Sequence, residues 1–263
     1  MIRIVLAEWR KLRRPTLFLG TIGAALFFTG LTSTFLYLMI DSTQGNSDRG
    51  RQVSREVLQL AGGSVYGFAS VGRLLGIIAL CVFAAQTAQE YTYGTLRNLL
   101  VRQPGRIRIL AGKLIAMKIF ALIMIAISAM VSIGISFYLS HRAKVNTDLW
   151  FTSTGFQEIG KTLLNVTISV VYFGIIGMVL GLLLRSPISA ISIGVLWILI
   201  IENLLGAVKP VFLKWMPGNQ LQTIAQGGTS DISYSHALTL GSLYVLVGAI
   251  IAAVLFTRRD VSN

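Results

Sequence analysis

Six separate stretches of this chain stay apolar long enough to cross a bilayer, at roughly 16–40, 65–88, 113–139, 162–184, 187–206 and 237–257. A helix rises 1.5 Å per residue, so about 20 apolar residues span the ~30 Å hydrocarbon core. Lipid offers no partner to a free backbone N–H or C=O, so a crossing segment must be a helix or part of a closed barrel. These runs lack the in–out alternation of barrel strands. The expected fold is an all-α polytopic membrane protein with six transmembrane helices, residues 1–263 forming a single transmembrane domain. Composition agrees: 13% of residues are charged, where a soluble domain carries about a quarter. The first run is too long for the apolar core of a signal peptide and lacks an A-x-A-like exit, so it reads as a retained span.

Ahead of that span lies MIRIVLAEWRKLRRP. Ile2, Val5, Leu6, Trp9 and Leu12 fall on one helical face, while Arg3, Arg10, Lys11, Arg13 and Arg14 fall largely on the other. Residues 1–15 thus predict a basic amphipathic helix lying among lipid head groups, with Pro15 breaking it from the first span. Lys and Arg fix the orientation. The N-terminal segment, the 89–113 loop, Arg185 and the tail together hold thirteen, against eight in the loops on the other side. Both termini and the 89–112 segment are therefore expected in the cytoplasm of a multi-pass cell-membrane protein. This distribution explains the net charge of +13 without nucleic acid as a partner.

Bond-making chemistry is not legible. His141 and His236 lie in different loops, Cys81 is the single cysteine, and no HExxH, GxSxG or acidic cluster occurs. The stretch GRIRILAGKL has six residues between its glycines and Leu114 after Lys113, so it is no phosphate loop. Neither a catalytic residue nor a metal or cofactor site is expected in this chain. The sequon at Asn165 falls inside a span, out of reach of glycosylation.

The most polar interior stretch, EYTYGTLRNLLVRQPGRIRILAGKL from Glu90 to Leu114, joins spans two and three. Leu96, Leu99 and Leu100 form an apolar stripe on a short helix that Pro104 and Gly105 end. One reading is a basic loop whose arginines bind lipid phosphate. The other is a docking helix for a cytoplasmic partner. Residues alone do not separate them.

The arrangement of Glu90, Gly94-Thr95, Leu96-Arg97, Leu99-Leu100, Pro104, Arg106 and Gly112-Lys113 resembles the signature of ABC-2 type ABC transporter permeases. The basic N-terminal helix with Glu8 and Lys11, the six spans and a long outer segment between spans five and six are similar too. The resemblance implies an N-in/C-in permease subunit of an ATP-driven exporter, with an elbow helix at 1–15. It implies a coupling helix that contacts an ABC ATP-binding subunit through Glu90, Gly94, Thr95, Leu96, Arg97, Leu99, Leu100, Arg102, Pro104 and Arg106. That subunit would bind ATP-Mg, so hydrolysis would lie outside this chain. A second permease copy or a sister permease would complete the pathway, with spans two and five at the interface. The outer segment 207–236 would form re-entrant helices. Apolar spans and small outer loops suit an amphipathic cargo: a lipid, peptide or drug. The alternative is a gradient-driven secondary transporter, which would need ionisable groups near the membrane midplane.

Two charges remain. Arg73 sits within span two and Glu202 near the outer end of span five. Charges inside spans are costly and often functional. The two are candidates for an intramembrane or outer ion pair; the other reading has Arg73 snorkelling to the head groups and Glu202 in the loop. Between spans one and two, REVLQL can hold a short helix.

Overall fold

The computed structural model describes residues 1–40, 54–95 and 105–258. Among these there are only helices and the turns between them. A short α1 (Ile2–Leu12) precedes α2 (Pro15–Leu38). Then come α3 (Arg55–Gln59), α4 (Gly63–Thr92), α5 (Arg106–Arg142) and α6 (Ser153–Leu184). The next helix is composite: α7 (Pro187–Leu196), a π-helical turn (Trp197–Ile201) and α8 (Glu202–Val208). A 3-10 helix (Pro210–Trp215), α9 (Pro217–Ala225) and α10 (Tyr234–Arg258) complete the chain. Among the described residues six helices are long and apolar enough to cross a membrane: α2, α4, α5, α6, the composite 187–208 helix and α10. Apart from α2, which ends at Leu38, short of its run, the crossing helices overrun the apolar runs, α5 most of all, because a helix continues through polar residues once its hydrogen-bond ladder is started.

α4 is the most buried of the six and packs against α2, α5, α6, α7 and α9. Its seam with α6 is made by small residues. The Phe83 ring seats on Gly174, where a Cβ would come within 2.7 Å of the ring, and a Cβ on Gly181 would come within 2.8 Å of the Ala84 carbonyl oxygen. Gly177 lies against the Leu80 carbonyl, and reciprocally Phe173 covers Gly76. In lipid the apolar effect does not press helices together, so such close backbone approach supplies the packing energy. Across α2 and α5 the buried Ser33 and Ser132 hydroxyls lie 2.9 Å apart.

The composite 187–208 helix is far less buried than α4, with Ile188, Leu196, Ile200, Leu204 and Val208 exposed.

Local chemistry explains the turns. Arg185 ends α6 in the left-handed region at φ 54°, Ser186 caps α7 by accepting from the Ser189 N–H, and Pro187 occupies its first turn. The RSP turn therefore makes the tight hairpin its brevity implies. REVLQ does form a helix. Ser54 caps it, and the Trp150 indole N–H donates to the Leu58 carbonyl at 2.9 Å, holding α3 on the 148–151 turn.

A candidate coupling site and an intramembrane charge site

Four charged side chains meet where α1, α4 and α5 converge. The Lys113 ammonium donates to Glu8 Oε2 at 2.6 Å, to Glu90 Oε1 at 2.9 Å and to the Gln86 carbonyl at 3.2 Å. The Lys11 ammonium donates to Glu8 Oε1 at 2.6 Å and to Glu90 Oε1 at 2.7 Å. Glu8, Glu90 and Lys113 are all buried, at 4%, 7% and 2% exposure. Two carboxylates and two ammonium groups balance, and each buried charge has partners on both sides. That is the condition under which ion burial is tolerated. Burial by itself lowers the Lys11 pKa, but the Glu90 and Glu8 carboxylates outweigh it and hold it above its ordinary value.

The sequence makes this junction possible at Gly112. A Cβ there would lie 2.7 Å from Ile4 Cγ2, so only glycine lets α1 lie this close to α5 and bring Glu8 to Lys113. The buried face of α1 is Ile4, Glu8 and Leu12, spaced i, i+4, i+8. The amphipathic pattern predicts that the face carrying Ile2, Val5, Leu6, Trp9 and Leu12 turns to the lipid. Ile2 and Leu6 are exposed, but Leu12 is buried and Val5 and Trp9 pack against the core, so part of that face docks on the protein together with Ile4 and Glu8.

The coupling residues named from the sequence divide. Glu90 is in the charged junction. Gly94 adopts φ +63° just past the end of α4, and its N–H donates to the Tyr91 carbonyl, so it stops the helix and turns the chain away. Thr95 follows and is exposed. Arg106 opens α5 and donates to the Phe256 and Thr257 carbonyls at 3.0 and 3.2 Å, capping the end of α10. Leu96, Arg97, Leu99, Leu100, Arg102 and Pro104 lie outside the described residues. The Arg185 guanidinium stacks 5.5 Å from the centre of the Tyr91 ring. Thus α1, the C-terminal end of α4, the start of α5, the α6–α7 turn and the last turn of α10 share one end of the bundle.

The second site lies farther along α4, 17 residues before Glu90 or about 26 Å at helical rise. There the Arg73 guanidinium donates to Gln222 Oε1 at 3.1 Å and to the Ile198 carbonyl, and lies 3.9 Å from Glu202 Oε2. The Ile198 carbonyl belongs to the π-helical turn, where i→i+5 bonds such as Glu202 N–H to the Trp197 carbonyl replace the i→i+4 ladder, and Arg73 gives it a side-chain donor. The Asn203 amide serves Leu199 in the same way at 2.7 Å. Glu202 is fully buried, and its Oε1 accepts the Gly218 N–H at 2.8 Å. Met216, the residue preceding α9, offers no side-chain cap, so a carboxyl from α8 caps α9 instead. Gly218 is required there, since a Cβ would come within 2.6 Å of Glu202 Oε2. The Arg73–Glu202 approach is one edge of a larger tie that joins α4, the π turn, α8 and α9.

The segment 207–236 folds back into the bundle. Leu221, Ile224 and Ala225 of α9 are buried, and the Ser169 hydroxyl of α6 donates to the Leu221 carbonyl at 2.7 Å. Asn165 accepts from the Tyr234 hydroxyl at 2.9 Å.

No curated protein matches the chain. The stretch carrying Arg73, Glu90, Lys113 and Glu202, but not α1, is matched by a family model. Residues 48–262 fit it, and the chain belongs to the family described as "Protein of unknown function (DUF2705)".

Proposed function

We propose that this chain is the permease subunit of an ATP-driven ABC exporter, paired with a second permease and two ATP-binding subunits in the cell membrane. The observation that carries this reading is the charged junction of Glu8, Lys11, Glu90 and Lys113. It clamps an N-terminal amphipathic helix to the ends of α4 and α5, on either side of the segment that resembles a coupling helix. A short docked helix transmits motion only if its mountings are stiff and have discrete arrangements. Here the mounting is a buried ion network in place of a floppy loop. In this reading α1 lies at the cytoplasmic head-group level as an elbow, and Gly94 directs residues 95–105 toward the ATP-binding subunit. ATP-Mg is bound and hydrolysed there, and the permease chain carries no catalytic group. Closure of the ATP-binding pair moves α1, α4 and α5 as one piece. The far end of α4 then bears, through its Arg73, on the π turn and α9.

The reading is tested by solubilising the tagged chain from its native membrane in mild detergent. A copurifying subunit with a Walker A motif, and ATP hydrolysis that responds to reconstituted cargo, are expected. A chain that purifies alone and moves cargo under a proton or sodium gradient would point to the secondary-transporter alternative.

A further inference from the structure

α9 is two-faced. Leu221, Ile224 and Ala225 are buried in the bundle, whereas Asn219, Gln222, Thr223 and Gln226 recur at i, i+3, i+4, i+7 and form a polar stripe, half-buried except at Thr223, which is buried with its hydroxyl donating to the Asn219 carbonyl. That stripe lines a cavity of about 620 Å³ whose other walls are the 3-10 helix and the turn from Thr229 to Ile232. The volume falls within the ~300–1,000 Å³ of small-ligand sites. Eight of its twelve lining residues have polar side chains. Among them Lys214 and Asp231 carry opposite charges, and neither forms an ion pair among the described residues. Beside the cavity the 3-10 helix exposes Val211, Phe212 and Trp215, the composition of a membrane–water boundary.

We propose that this cavity binds the zwitterionic head of a phospholipid-type amphiphile. Lys214 takes the phosphate, Asp231 takes the ammonium group, and the α9 stripe hydrogen-bonds the ester and glycerol oxygens. The acyl chains leave over Val211, Phe212 and Trp215. Gln222 lies on the cavity wall and also accepts from Arg73, so the occupied site touches the intramembrane tie directly. As a statement about cargo class this rests on the permease reading; as a statement about binding it does not.

The test is calorimetric titration of the full chain, held in phosphatidylglycerol nanodiscs, with water-soluble glycerophosphoethanolamine. Glycerophosphate and ethanolamine serve as the anionic and cationic halves. Saturable one-to-one binding of the zwitterion is expected, about tenfold tighter than either half, since each charge-assisted contact adds on that order. Lys214→Gln and Asp231→Asn should each weaken it about five- to tenfold while leaving thermal unfolding unchanged, both side chains being exposed. Absence of saturable binding overturns the proposal. So does equal binding of glycerophosphate, or indifference to both variants. No ATP-binding subunit is in the sample, so those outcomes leave the permease reading standing. Conversely, failure to find such a subunit in the native membrane removes the cargo assignment but not the binding.

Discussion

Lys113 Nζ stands 2.6 Å from Glu8 Oε2 although 105 residues separate them in the chain. That contact fastens α1 to α5, and Glu90 joins α4 to the same ammonium group.

Removing one member of the network leaves buried charge without a counter-ion. Lys113→Met should therefore destabilise the protein by about 3–5 kcal/mol, read as a large fall in detergent-solubilised melting temperature. Combining it with Glu8→Gln should recover most of the loss, because Glu90 then remains paired with Lys11 and the site is again balanced. A double variant as unstable as the single one would argue against charge balance as the cause.

Lys11 gives the junction a pH signature. Burial pulls its pKa down, but the Glu90 and Glu8 carboxylates prevail and raise it in the folded protein above the ordinary value of 10.5. The stability it contributes is thus fully present below pH 10.5 and is lost as pH rises through the higher folded value. Wild type and Lys11→Met should converge in melting temperature above that pH and differ below it. A constant gap across the range would contradict the assignment.

The α4–α6 seam predicts opposite outcomes at two glycines on one helix. Gly177→Ala meets the Leu80 carbonyl and should cost about 1–3 kcal/mol by forcing the helices apart. Gly160→Ala, exposed with nothing within 4 Å, should gain about 0.5–1 kcal/mol from helix propensity. Chemical denaturation of the two variants side by side decides it.

At the second site, Arg73→Met should be the more damaging change. It leaves the Ile198 carbonyl and Gln222 without their donor and Glu202 without its neighbouring cation. Glu202→Gln keeps an oxygen for the Gly218 N–H and should lose less. A double-mutant cycle should show a coupling of about 0.5–3 kcal/mol. Strict additivity would mean that the two side chains do not feel each other.

Much of this molecule is legible in the chain, and the reasons are local. Apolar length alone locates the six crossing helices. The glycines of YFGIIGMVLG announce a close helix contact, and RSP announces a hairpin. What stays hidden depends on contacts distant in sequence. Glu8 sits among basic residues, and only its i±4 spacing from Ile4 and Leu12 hints that it turns inward. Lys113 looks like one more interfacial cation until Gly112 is seen to admit α1. The π turn has no mark in WILII, because five apolar residues suit an α-helix equally well. Pro210 and Pro217 obscure the burial of α9, and a search for apolar runs passes over its polar stripe. Helix-spanning contacts also change the meaning of Arg106, which caps α10.

The central claim is that residues 95–105 face the cytoplasm and meet an ATP-binding subunit, and one introduced thiol reports on it. Thr95→Cys is placed in a Cys81→Ser background, which leaves no other thiol in the chain. Intact cells are treated with a membrane-impermeant maleimide, and inside-out vesicles with a short bifunctional crosslinker. The account predicts no labelling from outside and a crosslinked product containing a Walker A subunit. Labelling of the introduced thiol in intact cells, with no such product in the vesicles, would contradict it.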